Sequence, residues 1–574
     1  MKLTDSIAEI LKANGVGHVF GLQGGAVVHI FDSLERAGLG VTYTHHEESA
    51  ALAAVAYAKA TQNLGCVVVT TGPGATNAIT GLLAAWQDSI PCLFISGQVR
   101  SQHTSYGRKV RQVGTQEVNI CDVVKPLTKY TKFIQDKDSF VSEVLHAIDV
   151  ARSGRPGPVW LDIPLEYQWQ EIAFRQEMPV QRKPDRPAFD LAGAIESLAL
   201  LRASSRPLLV LGYGVRLAGC TGPLWKLIEK HKIQYVTTWT AADLYPTMEP
   251  LNLGIIGMSG QRGANHAMFS SDLLLCLGTH LSIPHTTTLF DSYAPQAKKI
   301  IVNIDKDQLD NLNVAFDLKI VSDLGDYVEW AEKQNWPPCR WAEGAEIKQQ
   351  NWYAPPETER PNSNVFVHSL TQRAPAGTCL VVDGGGTALY ASFQSSVLKQ
   401  GDRVICSSAI SAMGTGLAET IGASKSGKFL KLLCVIGDGS FLMNIQDLQT
   451  IRQDNINAVI CVVNNNGYLA IRHTQKEFLG ARYHGTHPEW NLVMPSIEKL
   501  AYGFDIPYFR LDAASRLEEV IGDLLQANGP VLCEIVVDEE QPVLFQQAYK
   551  ANPDGTFSPQ ALSSMRPEPK PDAF

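Results

Sequence analysis

The chain has 574 residues, 45% of them hydrophobic, which is enough for roughly three to four domains of ordinary size, each with its own core. Its 49 basic and 58 acidic side chains give a net charge of −9 with no long run of either sign, which argues against a nucleic-acid or anionic-membrane surface and for a small-molecule role. The 11 cysteines stand singly, no segment holds a membrane span's length of uninterrupted apolar residues, and the amphipathic start 1-MKLTDSIAEILKANGV-16 has no cleavable apolar region, so a cytoplasmic soluble protein with reduced thiols is expected.

One theme recurs along the chain: a buried apolar strand, a glycine-bearing turn, a helix and another buried strand. That pattern predicts an α/β fold of three consecutive open, mostly parallel-sheet domains. In the first block, 1–175, the stretch 40-GVTYTHH-46 reads as a short strand, so the adjacent carboxylates of 46-HEESAA-51 fall where a strand hands over to an alanine-rich helix. Acidic residues suit a helix's first turn, and strand-to-helix junctions are also where open α/β sheets bind ligands. Proline and charge in 178-MPVQRKPDRPAFD-190 predict a linker over 176–190. The central block, 191–345, carries strand candidates in 206-RPLLVLGYGV-215, 272-DLLLCLGTHLS-282 and 299-KIIVNIDKDQ-308. The third block, 360–545, carries them in 379-CLVVDGGGTALY-390, 430-LKLLCVIGDGSF-441 and 457-NAVICVVNNNGY-468. The polar, proline-bearing tail, 546–574, is expected to be disordered or to act as a lid.

The most informative piece is 437-GDGSFLMNIQDLQTIRQDNINAVICVVNNNGY-468, which parses as a strand end, a helix over Leu442 to Arg452 and a second strand ending at Asn464. A right-handed crossover makes the two strands parallel and brings Asp438 and Asn465 to one carboxyl-terminal sheet edge. There a carboxylate, an amide oxygen and the carbonyl of Gly467 suit magnesium, which completes its octahedron with water and phosphate oxygens. Gly437, Gly439 and Ser440 let backbone groups approach an anion.

This spacing resembles the thiamine diphosphate signature, and the chain up to about 545 resembles the acetolactate synthase branch of that family through 20-FGLQGGA-26, 46-HEESAA-51, 70-TTGPGATN-77, 89-SIPCLFISGQV-99, 115-TQEV-118, 153-SGRPGPVWLDIP-164 and 411-SAMGTG-416. The resemblance implies a pyrimidine-binding first domain, a Rossmann-like central domain, a diphosphate-binding third domain, and a homodimer or homotetramer with active sites between subunits. It implies that Glu47 is the acid that protonates the coenzyme's pyrimidine ring, so that the coenzyme acts as its own base, with burial among Ala50, Ala51 and Leu52 helping it to hold a proton. Glu48, where relatives usually have glutamine, reads as a helix-start charge facing another subunit or water.

By the same resemblance, Met413 supports the bend between the coenzyme rings, Gly386 and Thr387 hold phosphate oxygens, and Gly24, Gly72, Pro73 and Asn77 line the pyrimidine side, although Asn77 is equally suited to capping its own helix. Gln116 borders the reaction space, with Lys129 as a neighbouring cation or an ordinary surface charge. FAD in the central block is left open: 257-GMSG-260 and 237-TTWT-240 match flavin-contacting segments, while 278-GTHLSIPH-285 lacks the arginines usual after the glycine.

The activity this implies is decarboxylation of pyruvate and transfer of the remaining unit to a carbonyl acceptor. Two departures bear on the acceptor: Thr115 and Thr474 stand where the branch has aromatic residues, which opens and polarises that side. A nucleotide-linked ketosugar or other bulky ketone is therefore an alternative acceptor. A simple 2-keto acid decarboxylase and an inactive regulatory homologue are the remaining alternatives, the last opposed by the intact Glu47, Asp438 and Asn465.

Overall fold

The computed structural model describes residues 1–172, 186–337, 341, 343–352, 355, 358–553 and 556–567. Of the expected linker, residues 176–185 lie outside the described residues, as does the end of the tail from 568.

Three six-stranded parallel sheets follow one another along the chain. The first contains β1 (His18–Gly21), β2 (Gly40–Tyr43), β3 (Gly65–Val69), β4 (Cys92–Gln98), β5 (Tyr130–Phe133) and β6 (Val159–Pro164), in the order β2-β1-β3-β4-β6-β5. The second contains β7 (Pro207–Leu211), β8 (Tyr235–Thr237), β9 (Asn252–Ile255), β10 (Leu273–Leu277), β11 (Lys298–Asn303) and β12 (Leu318–Val321), in the order β12-β11-β10-β7-β8-β9. The third contains β13 (Thr378–Val382), β14 (Arg403–Ile405), β15 (Lys431–Gly437), β16 (Ala458–Asn464), β17 (Tyr508–Leu511) and β18 (Val531–Val536), in the order β14-β13-β15-β16-β18-β17. Central strands such as β3, β7 and β13 are buried at every residue because helices cover both sheet faces, which is why they read as unbroken apolar runs.

Each sheet has a switch point where successive strands leave in opposite directions, between β1 and β3, β7 and β10, and β13 and β15. At all three, a glycine lets the facing loops close up. A Cβ on Gly24 would lie 2.5 Å from Thr70, one on Gly212 2.3 Å from the Gly278 carbonyl, and one on Gly385 2.5 Å from Ser440 Oγ. These crevices are where open α/β sheets take ligands.

The first and third domains share one core, in which Ala50, Ala54 and Phe94 belong to the same apolar cluster as Val381, Leu417 and Ile460. The contact runs through helices Glu47–Thr61 and Thr415–Ser424, whose backbones approach so closely that a Cβ on Gly422 would fall 2.0 Å from the Ala53 carbonyl oxygen. The alanines of the first helix are small because a neighbouring main chain occupies the space. Charges tie in the central domain: Asp243 pairs with Arg216 at 2.8 Å and with Arg403 of β14 at 2.9 Å.

Two local expectations change. The helix expected over Leu442 to Arg452 is instead two short helices, Asp438–Phe441 and Asp447–Gln453, because Asn444 turns out of the helical path to donate to the Gly414 carbonyl at 3.1 Å. The tail, expected to be disordered or a lid, forms two antiparallel strand pairs, Gln546–Gln547 with Met565–Arg566 and Tyr549–Ala551 with Phe557–Pro559. It is anchored on the central domain by buried Leu562 and by Gln547 N–H donating to the Met258 carbonyl at 3.0 Å. The 10 cysteines among the described residues are buried and free, and no helix there is long and apolar enough to cross a membrane.

Candidate active site

In the first domain, Glu47 opens its helix directly after β2, with His46 in extended conformation before it, and is only 8% exposed. Its Oε2 accepts from Asn77 Nδ2 at 3.0 Å, and Gly74 leaves the room its Oε1 needs, since a Cβ there would lie 3.2 Å away. Asn77 closes the short helix Pro73–Asn77 and spends its amide on Glu47. Gly72, at φ +63°, packs against the carbonyl of Gln116, itself at φ +60°; any Cβ on Gly72 would sit 1.9 Å from that oxygen. The Gln116 loop is therefore seated on the loop that faces the acid. Thr115 and Gln116 are exposed.

Behind them lies a buried carboxylate. Asp162, at the end of β6, accepts from Ser96 Oγ at 2.6 Å, Gln98 Nε2 at 3.0 Å and the Tyr106 hydroxyl at 3.2 Å, while Gln98 Oε1 takes the Thr71 hydroxyl at 2.7 Å. Burial outweighs these donors and pushes the acid up to about 7.

In the third domain, the edge of β15 and β16 gathers the other candidates. Asp438 accepts from the Gly439 and Gly467 N–H groups, both at 2.9 Å, and burial pushes its carboxyl up to about 7, a shift that a cation at this edge would oppose. Asn465 donates to Thr387 Oγ1 at 3.2 Å, while its Oδ1 is buried and has no hydrogen-bond partner. Among the described residues no cluster of three His, Cys, Asp or Glu forms, so this site offers one carboxylate and neutral oxygens, a donor set that suits magnesium bound to a diphosphate. Arg472, 1% exposed, fixes the turn by donating to the carbonyls of Asn465 at 2.7 Å and Thr486 at 2.8 Å.

Gly386 and Thr387 open the helix Gly386–Ser395 beside this edge. Met413, half-buried, crosses the same crevice: a Cβ on Gly385 would be 2.8 Å from its Cγ. Gly437 caps the helix that carries Asp438, Gly439 and Ser440. Thr474 lies on the exposed side of helix Leu469–Leu479, one turn beyond Ala470, which faces Gly386. Lys129 is elsewhere: its ammonium donates to the Ser153 carbonyl at 2.5 Å on the wall of the interdomain cavity. Among the described residues, no hydrogen bond or ion pair joins Glu47 or Asn77 to Asp438, Asn465 or Thr387. In this chain it is Glu48 that reaches the third domain, beside Asn444, and burial raises its carboxyl above the usual range.

That cavity, about 970 Å³, opens at the central switch point and is lined by Gly212, Gly214, Gly278, Trp239, Asn303 and Asp305, with Arg155 reaching in from the first domain. Thr279 Oγ1, His285 Nε2 and Trp239 Nε1 on its wall are buried without partners, and burial pushes His285 down to about 3.

Each domain matches a family model. Residues 1–123 match the N-terminal TPP binding domain of thiamine pyrophosphate enzymes, 195–330 their central domain and 383–535 their C-terminal TPP binding domain. The acetolactate synthase isozyme 2 large subunit of Escherichia coli is 30% identical over 94% of this chain and 96% of its own length. The chain belongs to the thiamine pyrophosphate enzyme family. A probable acetolactate synthase large subunit of Methanocaldococcus jannaschii is 29% identical over 99% of this chain and 96% of that protein, and the chloroplastic acetolactate synthase 1 of Zea mays 30% over 95% and 86%. In thiamine pyrophosphate enzyme terms, the Glu47 edge falls within the N-terminal model and the Asp438 edge within the C-terminal one.

Reading residues alone missed Asp383, Asn444 and Asp162, which touch the candidate loops from behind. The signal was weak but present: an acid immediately before three glycines at a strand end, as in 383-DGGG-386, marks a carboxylate facing backbone N–H groups.

Proposed function

We propose that the protein is a magnesium- and thiamine diphosphate-dependent carboligase that decarboxylates pyruvate and joins the remaining unit to a carbonyl acceptor. The observation that carries the reading is the partnerless, buried Asn465 Oδ1 standing with Asp438 at a glycine-rich sheet edge. Asp438, Asn465 and the Gly467 carbonyl would hold magnesium, Gly386, Thr387, Gly439 and Ser440 the diphosphate, and Gly24, Gly72, Pro73 and Asn77 the pyrimidine. Bound thiamine diphosphate supplies stabilisation of the carbanion left when a 2-keto acid loses carbon dioxide. Glu47 holds a proton at the pyrimidine ring, oriented by Asn77. Met413 shapes the space between the coenzyme's two ends, and Gln116, Thr115 and Thr474 border the substrates.

That no hydrogen bond or ion pair joins the Glu47 and Asp438 groups among the described residues fits a homodimer in which each site takes its two halves from different copies. The exposed Met443 (49%) and Ile471 (52%) near the third-domain edge are apolar surface for such a copy to cover. The central cavity, about 970 Å³ at the switch point, is large enough for a nucleotide, and the partnerless Thr279, His285 and Trp239 atoms on its wall offer it polar contacts. FAD is the proposed occupant, a yellow protein its readout. Buried free thiols suit the reducing cytoplasm.

Protein stripped of metal and coenzyme, then assayed for pyruvate consumption with each restored singly and together, tests the reading. Consumption needs both; consumption without them refutes it. A second reading concerns the acceptor. Beside Thr115, the loop bearing Arg108, Lys109 and Arg111 is exposed, and among the described residues no carboxylate pairs with these cations. That charge suits an anionic acceptor, a second pyruvate or a larger anionic ketone such as a nucleotide-linked ketosugar alike. Labelled pyruvate offered with a panel of acceptors decides, and rapid exclusive formation of acetolactate overturns the larger ketone.

A further inference from the structure

Asp383 follows β13 at the third domain's switch point and is 0% exposed. Its Oδ1 accepts from the Gly385 N–H at 3.1 Å, and its Oδ2 accepts from the N–H groups of Gly414 and Gly416, both at 3.0 Å. The Ser440 hydroxyl approaches it as well. One carboxylate thus gathers three segments that are far apart in the chain: the glycine loop leading to Gly386 and Thr387, the turn holding Met413, and the start of the helix after β15. Two further bonds cross between the first two segments, Ser411 Oγ to the Gly384 carbonyl at 2.6 Å and Gly384 N–H to Thr415 Oγ1 at 3.4 Å.

The amides of Gly414 and Gly416 face inward to Asp383, so they are not free to meet an anion in the crevice. The carboxylate neutralises the N-terminus of helix Thr415–Ser424 from inside, and the left-handed Gly414 (φ +88°) supplies the bend that turns its N–H inward. Met413 is left projecting from a turn whose position relative to Gly386 is set by Asp383.

We propose that Asp383 is a positioning residue for thiamine diphosphate: without touching the coenzyme, it fixes the diphosphate loop and the Met413 turn at one separation, and coenzyme affinity depends on it. The inference rests on the assignment of this edge as the coenzyme's site. Asn in place of Asp383 keeps the size but turns an NH₂ group toward backbone donors, so at least one amide loses its acceptor.

The control is Asp402, in the same domain at the opposite end of the sheet, which also accepts from three backbone N–H groups: Gly377 at 2.8 Å, Thr378 at 3.0 Å and Lys399 at 2.7 Å. Thiamine diphosphate is titrated with magnesium into stripped wild type, Asp383→Asn and Asp402→Asn, following tryptophan fluorescence without substrate, and thermal midpoints are taken on the same stripped proteins. The expected result is that both variants melt lower, while only Asp383→Asn raises the coenzyme Kd, tenfold or more. Asp383→Asn binding within twofold of wild type, or Asp402→Asn weakening binding as much, overturns the inference. If Asp383→Asn does not fold, Ser411→Ala, which cuts a bond between the same two segments from the solvent side, is expected to raise Kd several-fold, and an unchanged Kd overturns the inference. Wild type that takes up no thiamine diphosphate would instead overturn the assignment of the edge.

Discussion

The first and third domains share one strand order and close their switch crevices the same way, yet they present different chemistry there. The third ends its strands in Asp383, Gly385, Asp438 and Asn465, a set of amides, carboxylates and an orphan amide oxygen. The first offers a single acid, Glu47, oriented by Asn77 at the head of a helix lined with alanine. Their buried carboxylates differ likewise: Asp162 is held by side chains, one of them Tyr106 from the loop after β4, Asp383 by main-chain amides that fix the loops themselves. Topology gives the crevice, and the strand-end residues decide what it can hold.

If the two edges divide the labour this way, damage to each should be separable. The largest effect is expected for Glu47→Gln, which keeps the Asn77 contact but removes the proton. Loss of a positioned acid costs about 10²–10⁴ in rate, so turnover should fall by that order while the coenzyme titrates nearly as in wild type. A variant that turns over normally would end the assignment of the first edge. Asn465→Ala should do the reverse. Losing even a partner that holds a metal ligand from behind weakens a metal site by about 10–100-fold, so removing a direct oxygen ligand should raise the magnesium required for half-maximal pyruvate consumption by at least that factor. An unchanged magnesium requirement would break the contrast between the edges.

The division also requires that the two domains stay locked. At Gly422 a methyl group would meet the Ala53 carbonyl, so Gly422→Ala should force the two helices apart. Overpacking of this kind costs about 1–3 kcal/mol, read as a lower denaturation midpoint. A midpoint equal to wild type would show that the shared core yields more easily than the close approach implies.

Much of this was legible in the residues. Uninterrupted apolar runs such as 432-LLCVIG-437 announced buried parallel strands, and the crossover rule put Asp438 and Asn465 at one sheet edge without any coordinates. Lys129 shows the limit: its position left a neighbouring cation and a surface charge both open, and where a long flexible side chain points is set by residues elsewhere in the chain, among them the Ser153 carbonyl. The break between Asp438–Phe441 and Asp447–Gln453 was hidden for the same reason, since the pull on Asn444 comes from Gly414, 30 positions away. Composition left the tail open between disorder and a lid. Within it Leu562 and Met565 are buried while Tyr549 and Phe557 are half-buried, and docking depends on where such residues land more than on how many there are.

The smallest expected effect sharpens the comparison from the first domain's side. Burial raises Asp162 from the ordinary aspartate value of 3.8 to about 7 in the folded protein. A group that binds its proton more tightly when folded contributes stability that is complete below the unfolded value and is lost as pH rises through the folded one. Between about pH 4 and pH 7, wild type should therefore lose stability that Asp162→Asn does not, because the amide cannot ionise. Asp383, pushed up to about 6, and Glu419 and Asp447, each pushed up to about 7, slope the same way in both proteins and cancel in the difference. The variant should lie lower overall, having disturbed the bonds to Ser96, Gln98 and Tyr106, but its melting temperature should fall less steeply with pH. Parallel curves would mean that the three donors keep Asp162 ionised across the range. In that case the first domain's buried acid would be a fixed charge like a structural anion, and the contrast with Asp383 would rest on the kind of donor alone.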